Sequence, residues 1–454
     1  METKNRSIKQ RFYAASFTRI VAAGYFILLL LGTFLLMLPV SAVSGEWTSF
    51  PDALTTATSA SCVTGLIVFD TFTHWSLFGQ VVLLGLIQMG GLGYMTLITV
   101  FSVLIGRKIS LRERGLLKES TNSLYLGGIV NLTKKTVAGT LIFEGIGAVI
   151  LTLRFYGVFG LKRAVCYGIF HSVSAFCNAG FDLMGVLAPY SSMEKFNSDP
   201  IVLLTLSALI VTGGIGFVVW QDITENRFRF RKYRLHSKIA ISTSLILLFS
   251  GSILIFALEY NNTLAGMNLV DKIFNSLFTS ASARTAGFGS IALADMTPGS
   301  YLLHIVYMLI GGSPGSTAGG LKTTTFAVLL ITAWAGIRNS ENVNVFRRRL
   351  GNDIIRKALT VVMIYFSLVF VSAIVISATN PELTLAEILF EVSSAIGTVG
   401  ISCGVMEKAD MSCQMILTLL MYCGRVGSMS FAMIFTQSKT PSKVLLPEEK
   451  IIIG

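Results

Sequence analysis

Cys62-Val63-Thr64-Gly65-Leu66 is a stretch that the chain restates three times. Aligned on the glycine, Cys177-Asn178-Ala179-Gly180-Phe181, Arg284-Thr285-Ala286-Gly287-Phe288 and Gly397-Thr398-Val399-Gly400-Ile401 fall beneath it. Just upstream, Ser59-Ala60, Ser174-Ala175, Ala281-Ser282 and Ser394-Ala395 hold matching places. The glycines at 65, 180, 287 and 400 mark a period of about 110 residues, and a fixed period signals a repeat architecture ahead of any local pattern.

Composition says where such repeats can live. The 454 residues are 53% hydrophobic and 13% charged, with mean hydropathy +0.70, which excludes a soluble enzyme. Apolar runs long enough to cross a bilayer core of ~30 Å recur along the whole length. The first, Phe17–Leu38, carries Arg19 and no small-residue cleavage site. It reads as a retained helix and not a signal peptide.

The net charge of +12 raises the possibility of a nucleic-acid partner, and its placement argues against one. Basic residues gather in the N-terminal tail (Lys4, Arg6, Lys9, Arg11, Arg19), in Arg107–Lys135, Arg227–Lys238 and Arg338–Lys357, and in the last residues (Lys439, Lys443, Lys450). Those are the places where every second crossing returns to one side, so both termini and three loops are cytoplasmic. No polar segment is long enough to fold as a basic domain. The six cysteines lack the paired spacing of a zinc site, and small buried thiols are the simpler reading.

Each repeat reads as an apolar helix, a short amphipathic segment ending in the glycine loop, and a second apolar helix. The units are 1–118, 119–234, 235–350 and 351–454. The first helices are Phe17–Leu38, Thr136–Tyr156, Ile239–Leu258 and Ala358–Ser377. The short segments, Asp52–Cys62, Ala164–Cys177, Val270–Ala283 and Leu385–Ile396, are too short or too rich in Ser and Thr to span. They must dip in and return, sheltered by protein or by water. The second helices are Val81–Gly106, Ile201–Trp220, Tyr301–Trp334 and Met415–Phe435. The expected fold is an all-α membrane protein, with eight crossings and four re-entrant pore helices around one central pore. Each repeat crosses twice, so all four share one orientation and can close a pseudo-fourfold ring.

A bare cation entering a membrane must exchange its hydration shell for other oxygens, and rings of backbone carbonyls supply them. Such rings need backbone conformations that glycine reaches freely. The pore helices also end at the loops, turning their negative dipole ends toward the axis. Simple close packing of helices would instead put small residues at regular spacing inside long helices, whereas these glycines lie in loops beside polar residues.

These loops, their spacing and the repeated helix–loop–helix resemble the Trk/Ktr/HKT superfamily of potassium transporters, nearest to the membrane subunits of bacterial Ktr uptake systems. The resemblance covers essentially the whole chain. It implies a filter built from Val63, Thr64, Gly65, Asn178, Ala179, Gly180, Thr285, Ala286, Gly287, Thr398, Val399 and Gly400, with K+ as the transported ion at their carbonyls. Members of the plant branch that prefer sodium carry serine at the position of Gly65, so Gly65 implies potassium. Thr398-Val399-Gly400 also matches the start of the potassium-channel filter, while Ile401-Ser402 does not continue it. The resemblance further implies a bacterial plasma membrane and a homodimer with the tail after Pro441 at the dimer contact. It also implies a KtrA-type cytoplasmic ring binding ATP or ADP, docked on the basic loops. Sodium remains possible as a coupling ion.

The second helix of repeat three contains Gly311-Gly312-Ser313-Pro314-Gly315-Ser316-Thr317-Ala318-Gly319-Gly320. Five glycines and a proline cannot stay helical, and unsatisfied backbone is intolerable against lipid, so the segment must line a cavity. We read it as a gate beneath the filter, against the alternative of a kinked packing element. The resemblance supports the gate. The other second helices carry milder versions: Gly90-Gly91-Leu92-Gly93, Gly213-Gly214-Ile215-Gly216 and Gly424-Arg425-Val426-Gly427. Arg425 lies mid-helix, where a charge must face the interior or water. It reads as a fixed charge beneath the filter, or as a hydrogen-bond donor to loop carbonyls. Lys322 is expected to snorkel. Arg284 and Glu391 are expected to buttress the filter from behind, and pairing with each other is one way to offset their charges. Glu144 is expected to be paired or to snorkel.

No nucleotide-binding pattern occurs, and Gly315 to Lys322 lacks the strand–loop–helix setting of a phosphate loop. The chain is therefore expected to be no enzyme and to bind no cofactor of its own. A sodium-coupled solute carrier would show two inverted halves, not four parallel repeats. A membrane enzyme would cluster its His, Asp or Cys residues, and His74, His171, His236 and His304 are dispersed. Sodium as the permeant ion is the alternative within transport.

Overall fold

The computed structural model describes residues 17–107, 109–120, 127–227, 229–340 and 342–427. The N-terminal basic tail up to residue 16, the tail after Pro441 and the end of the last apolar helix lie outside the described residues.

Four long apolar helices open the repeats: α1 (Phe17–Met37), α6 (Ile129–Cys177), α9 (Leu235–Glu259) and α13 (Asn352–Thr379). Each passes a length-and-hydropathy test for a membrane span. Helix α6 is two arms in one: the chain reverses at Gly160 (φ 73°, ψ 165°). Its second arm is the pore helix of repeat two. The other pore helices are α2 (Phe50–Cys62), α10 (Leu269–Ser282) and α14 (Leu385–Gly397). Their starts are written locally. Ser49 accepts from Asp52 N with Pro51 in the first turn, Asn268 accepts from Asp271 N, and Thr384 forms a capping box with Glu387.

The second helices differ from the sequence expectation. Val81–Gly106 was read as one crossing, and Ile201–Trp220 as another. In the structure, α3 (Leu77–Leu92) and α4 (Tyr94–Leu104) meet at 92°, and α7 (Pro200–Gly214) and α8 (Phe217–Asn226) meet at 94°. The joints are Gly93 (φ 80°) and Gly216 (φ 101°), in a region that side chains rarely visit. Repeat three breaks more widely, between α11 (Pro298–Leu309) and α12 (Thr323–Ile337). In repeat four, α15 (Met411–Val426) stops at Gly427 (φ 92°). All four second helices thus fail at one equivalent level. Their other ends are capped alike, by Ser76, Asp199, Thr297 and Asp410.

Helix α5 (Leu111–Ser120) was not expected. It tucks Leu116 and Leu117 against Val21, Tyr25 and Tyr94. A small hairpin, β1 (Asn344–Val345) with β2 (Arg348–Arg349), links α12 to α13.

The polarity is inverted relative to a soluble protein. Thr55, Thr58, Ser59 and Ser61 of α2 are buried, while Phe26, Ile27, Leu31 and Phe34 of α1 are exposed, as are Met363, Phe370 and Ile374 of α13. Hydroxyls line the interior and hydrocarbon faces the lipid. The ring closes through the pore helices. Helix α2 packs on both α3 and α15, α14 on both α15 and α11, and α10 on α7. First and last repeats are tied directly: Thr55 and Thr418 hydroxyls lie 2.9 Å apart, and Gln414 Nε2 donates to Asp52 Oδ1 at 3.0 Å.

Candidate ion pathway

The four glycine loops meet. A Cβ built on Gly65 would lie 2.5 Å from the Ala179 carbonyl oxygen, one on Gly180 would lie 2.9 Å from that of Ala286, and one on Gly287 would lie 2.6 Å from that of Val399. One on Gly400 would strike the Thr64 carbonyl oxygen and lie 2.7 Å from Gly65 Cα. Repeats one, two, three and four therefore follow each other around a closed ring. Each glycine presses its bare Cα against the carbonyl of the next loop, leaving no room for a side chain.

The strain extends beyond glycine. Val63, Asn178 and Thr398 end their pore helices in the left-handed region at φ 58°, 60° and 50°, and Thr285 sits at φ 81°. The β-branched Val63, Thr285 and Thr398 cost about 1–3 kcal/mol each there and persist where surroundings impose them, whereas Asn178 tolerates the region better. The surroundings here are serines. Ser59 Oγ accepts from Gly65 N at 3.0 Å and Ser394 Oγ from Gly400 N at 3.1 Å. Ser174 Oγ donates to Phe181 O at 2.7 Å, and Ser282 Oγ to Phe288 O at 2.6 Å. Repeat three has Ala281 where the others have serine, and Ser282 takes over from one place along. Its helix stops sooner relative to its glycine, with an ordinary right-handed cap at Ala283. The twelve filter residues expected from sequence are thus brought together. Thr64 and Thr398 add buried hydroxyls with no hydrogen-bond partner among the described residues, and Asn178 and Thr285 side chains lie 3.1 Å apart.

On the side away from the basic loops, Gly65, Gly180, Gly287 and Gly400 line a cavity of about 300 Å³, together with Asp70, Asp182 and Glu194. Sequence reasoning missed these carboxylates, although Asp182 follows Gly180 by two residues. Burial pushes the Asp182 carboxyl up to about 6, with Asp70 adding to the rise against the Met184 N–H bond.

Beneath the ring, the segment 311–320 lies against repeats two and four. Gly311 N donates to Leu321 O and Thr323 N to Gly312 O, so the loop closes on itself. Ser313 N and Thr317 N donate to Gly214 O and Gly213 O, while Phe217 N donates to Gly315 O, pinning it to the broken helix of repeat two. One flank faces the filter: Thr317 Oγ1 donates to Phe176 O at 3.1 Å, and a Cβ on Gly319 would strike the Thr398 side chain. The other flank, Gly315, Ser316 and Ala318, faces a second cavity lined also by Arg425, Lys322 and Glu119. The loop thus touches the glycine loops on one flank and lines the cavity on the other. Pro314, Gly315, Ser316 and Gly320 are partly exposed, the rest buried.

Arg425 ties the loop to α3. Its guanidinium donates to Thr317 O of the loop and to Gly90 O and Gly91 O of α3, and it stands in the cavity below. Lys322 does not snorkel; its Nζ turns back to Ala318 O at 2.8 Å and Gly319 O at 3.2 Å, because the opened loop offers carbonyls nearer than water. Arg284 and Glu391 are not partners. Arg284 Nη1 donates to Ser244 O on α9 at 2.9 Å, whereas Glu391 accepts from Ser402 Oγ and from Cys403 N at 3.0 Å, in the loop after the fourth filter. They stand behind different strands. Glu144 neither pairs with a cation among the described residues nor reaches the surface, at 6% exposure.

Comparison with known proteins agrees with this geometry. The TrkH family, described as a cation transport protein, matches residues 2–445. The chain is 39% identical to the potassium/sodium uptake protein NtpJ of Enterococcus hirae, over 96% of this chain and 97% of that one. It is 36% identical to the Ktr system potassium uptake protein B of Bacillus subtilis, over 96% of each. The crystal structure of the potassium transporter TrkH from Vibrio parahaemolyticus superposes with a TM-score of 0.73 at 17% identity, covering 95% of this chain and 87% of that one; the fold is shared. Four equivalent loops around one axis, an apolar exterior and a family match over nearly its whole length lead to one conclusion: this chain is a membrane protein of the TrkH family of cation transporters.

Proposed function

We propose that the chain admits potassium as the membrane subunit of a Ktr-type uptake system in a bacterial plasma membrane, with both termini cytoplasmic. The carbonyls of the four loops replace the ion's water, and the segment 311–320 gates the path below. The observation that carries this reading is the mutual contact of the four glycines with the next loop's carbonyl. The position of the loop, against the glycine loops on one flank and the lower cavity on the other, supports the gate, and Arg425 adds a positive charge that a cation must pass. Arg284 and Glu391 act as separate supports of the third and fourth strands.

Relatives named for a Ktr system favour a partner subunit. A nucleotide-binding cytoplasmic ring docked on the basic loops, and assembly as a homodimer, complete the proposal. The relative named for potassium and sodium together supports a second reading in which sodium permeates or couples. Rubidium uptake by potassium-starved cells expressing the chain, with and without sodium, tests both. Uptake that persists without sodium and resists sodium competition supports potassium selection. Sodium uptake with no rubidium uptake would replace it with the second reading.

A further inference from the structure

Glu144 is a carboxyl inside a membrane helix with no cation beside it among the described residues, and the groups that do surround it are unusual. Gln88 Nε2 of α3 donates to Glu144 Oε2 at 3.3 Å. Cys177 Sγ stands 3.6 Å from Gln88 Oε1 and 3.9 Å from Glu144 Oε1. Ser172 Oγ, on the pore-helix arm of α6, donates to the Glu144 backbone carbonyl at 2.6 Å. Cys177 is fully buried and directly precedes Asn178, the strained first residue of the second filter strand. The cluster therefore joins repeat one, the first helix of repeat two and the root of one filter strand.

An ionised carboxylate here would be held by one amide and one weak thiol donor, and removing a charge from water costs several kcal/mol unless a partner offsets it. A neutral carboxyl still accepts from Gln88 Nε2 through Oε2 and can turn its own O–H toward the Cys177 sulfur, a weak acceptor, from Oε1. The fit is also tight on the other side of Cys177, since a Cβ on Gly91 would lie 2.5 Å from its sulfur. The same turn of α3, residues 88–91, presents the Gly90 and Gly91 carbonyls to Arg425.

We propose that Glu144 is a positioning residue held as the neutral acid, and that with Gln88 it fixes Cys177 and so the second filter strand. This rests on the filter reading above. The prediction concerns ion discrimination in the full-length, membrane-embedded protein. Glu144→Gln keeps the donor and the acceptor and should keep rubidium-over-sodium discrimination within about twofold, whereas Glu144→Ala should lower it about tenfold, as loss of a buried hydrogen-bonding group does. Gln88→Leu, made from the opposite helix, should lower it similarly and carries the test if Glu144→Ala does not reach the membrane. Unchanged discrimination in Glu144→Ala or Gln88→Leu would overturn the proposal. So would Glu144→Gln failing as badly as Glu144→Ala, because the charge and not the hydrogen bonds would then matter. Gly287→Ser, measured in parallel, separates the two levels: if it too leaves discrimination unchanged, the filter reading itself has failed.

Discussion

At the scale of single residues, the filter glycines are places where a side chain has nowhere to go. Gly65→Ser or Gly287→Ser should lower potassium-over-sodium discrimination by about tenfold, equivalent to ~1.4 kcal/mol of differential binding, read as rubidium uptake against sodium competition. Asp182 makes a second residue-level prediction. Its carboxyl is raised by burial to about 6, so it gains a proton as pH falls through that value and the cavity beside the glycine ring loses a negative charge. The KM for rubidium should rise as pH drops from 7 to 5, and Asp182→Asn should show the raised KM at every pH. The linkage has the matching sign: a raised carboxyl pKa lowers stability as pH increases through the window ending near 6. The repeated glycines were legible in the sequence because only glycine meets that steric demand. Val63 and Thr398 were legible as members of the repeated loops but not as left-handed residues. Nothing in a branched side chain announces a conformation that its surroundings impose.

At the scale of elements, the pore helices were readable because their starts are local chemistry. Thr384 and Glu387 close a box of hydrogen bonds at 2.6 to 3.3 Å. Thr384→Ala should cost ~1 kcal/mol, seen as a lower melting temperature in detergent with ion discrimination unchanged. The breaks in the second helices were half legible. Gly93 and Gly216 were visible as glycines, but bends of 92° and 94° depend on packing between repeats that no local window contains. The segment 311–320 was legible as broken, since five glycines and a proline leave no helical alternative. Its attachments were not, because Gly213, Gly214 and Arg425 lie far away in sequence. If Arg425 holds the loop across the path, Arg425→Gln should raise rubidium flux. Deleting part of Gly312–Gly319 should raise it further, measured as initial uptake rates at equal amounts of membrane-inserted protein. Unchanged or lower flux in both folded variants would leave the loop a packing element.

At the scale of the whole molecule, one period in the sequence becomes one ring in space. The ring is closed by side chains from the two ends of the chain, Asp52 with Gln414 and Thr55 with Thr418. Imperfections in the repeat carry the asymmetry: a serine displaced by one place in repeat three, a break widened to a loop, and a charge present only at Arg425. The carbonyl ring can be observed without any mutation. In crystals of the protein soaked in rubidium, anomalous scattering should place rubidium on the shared axis among the loops carrying Thr64, Ala179, Ala286 and Val399. Rubidium bound only elsewhere, with that axis bare at saturating concentration, would contradict the assignment of these loops as the selectivity filter.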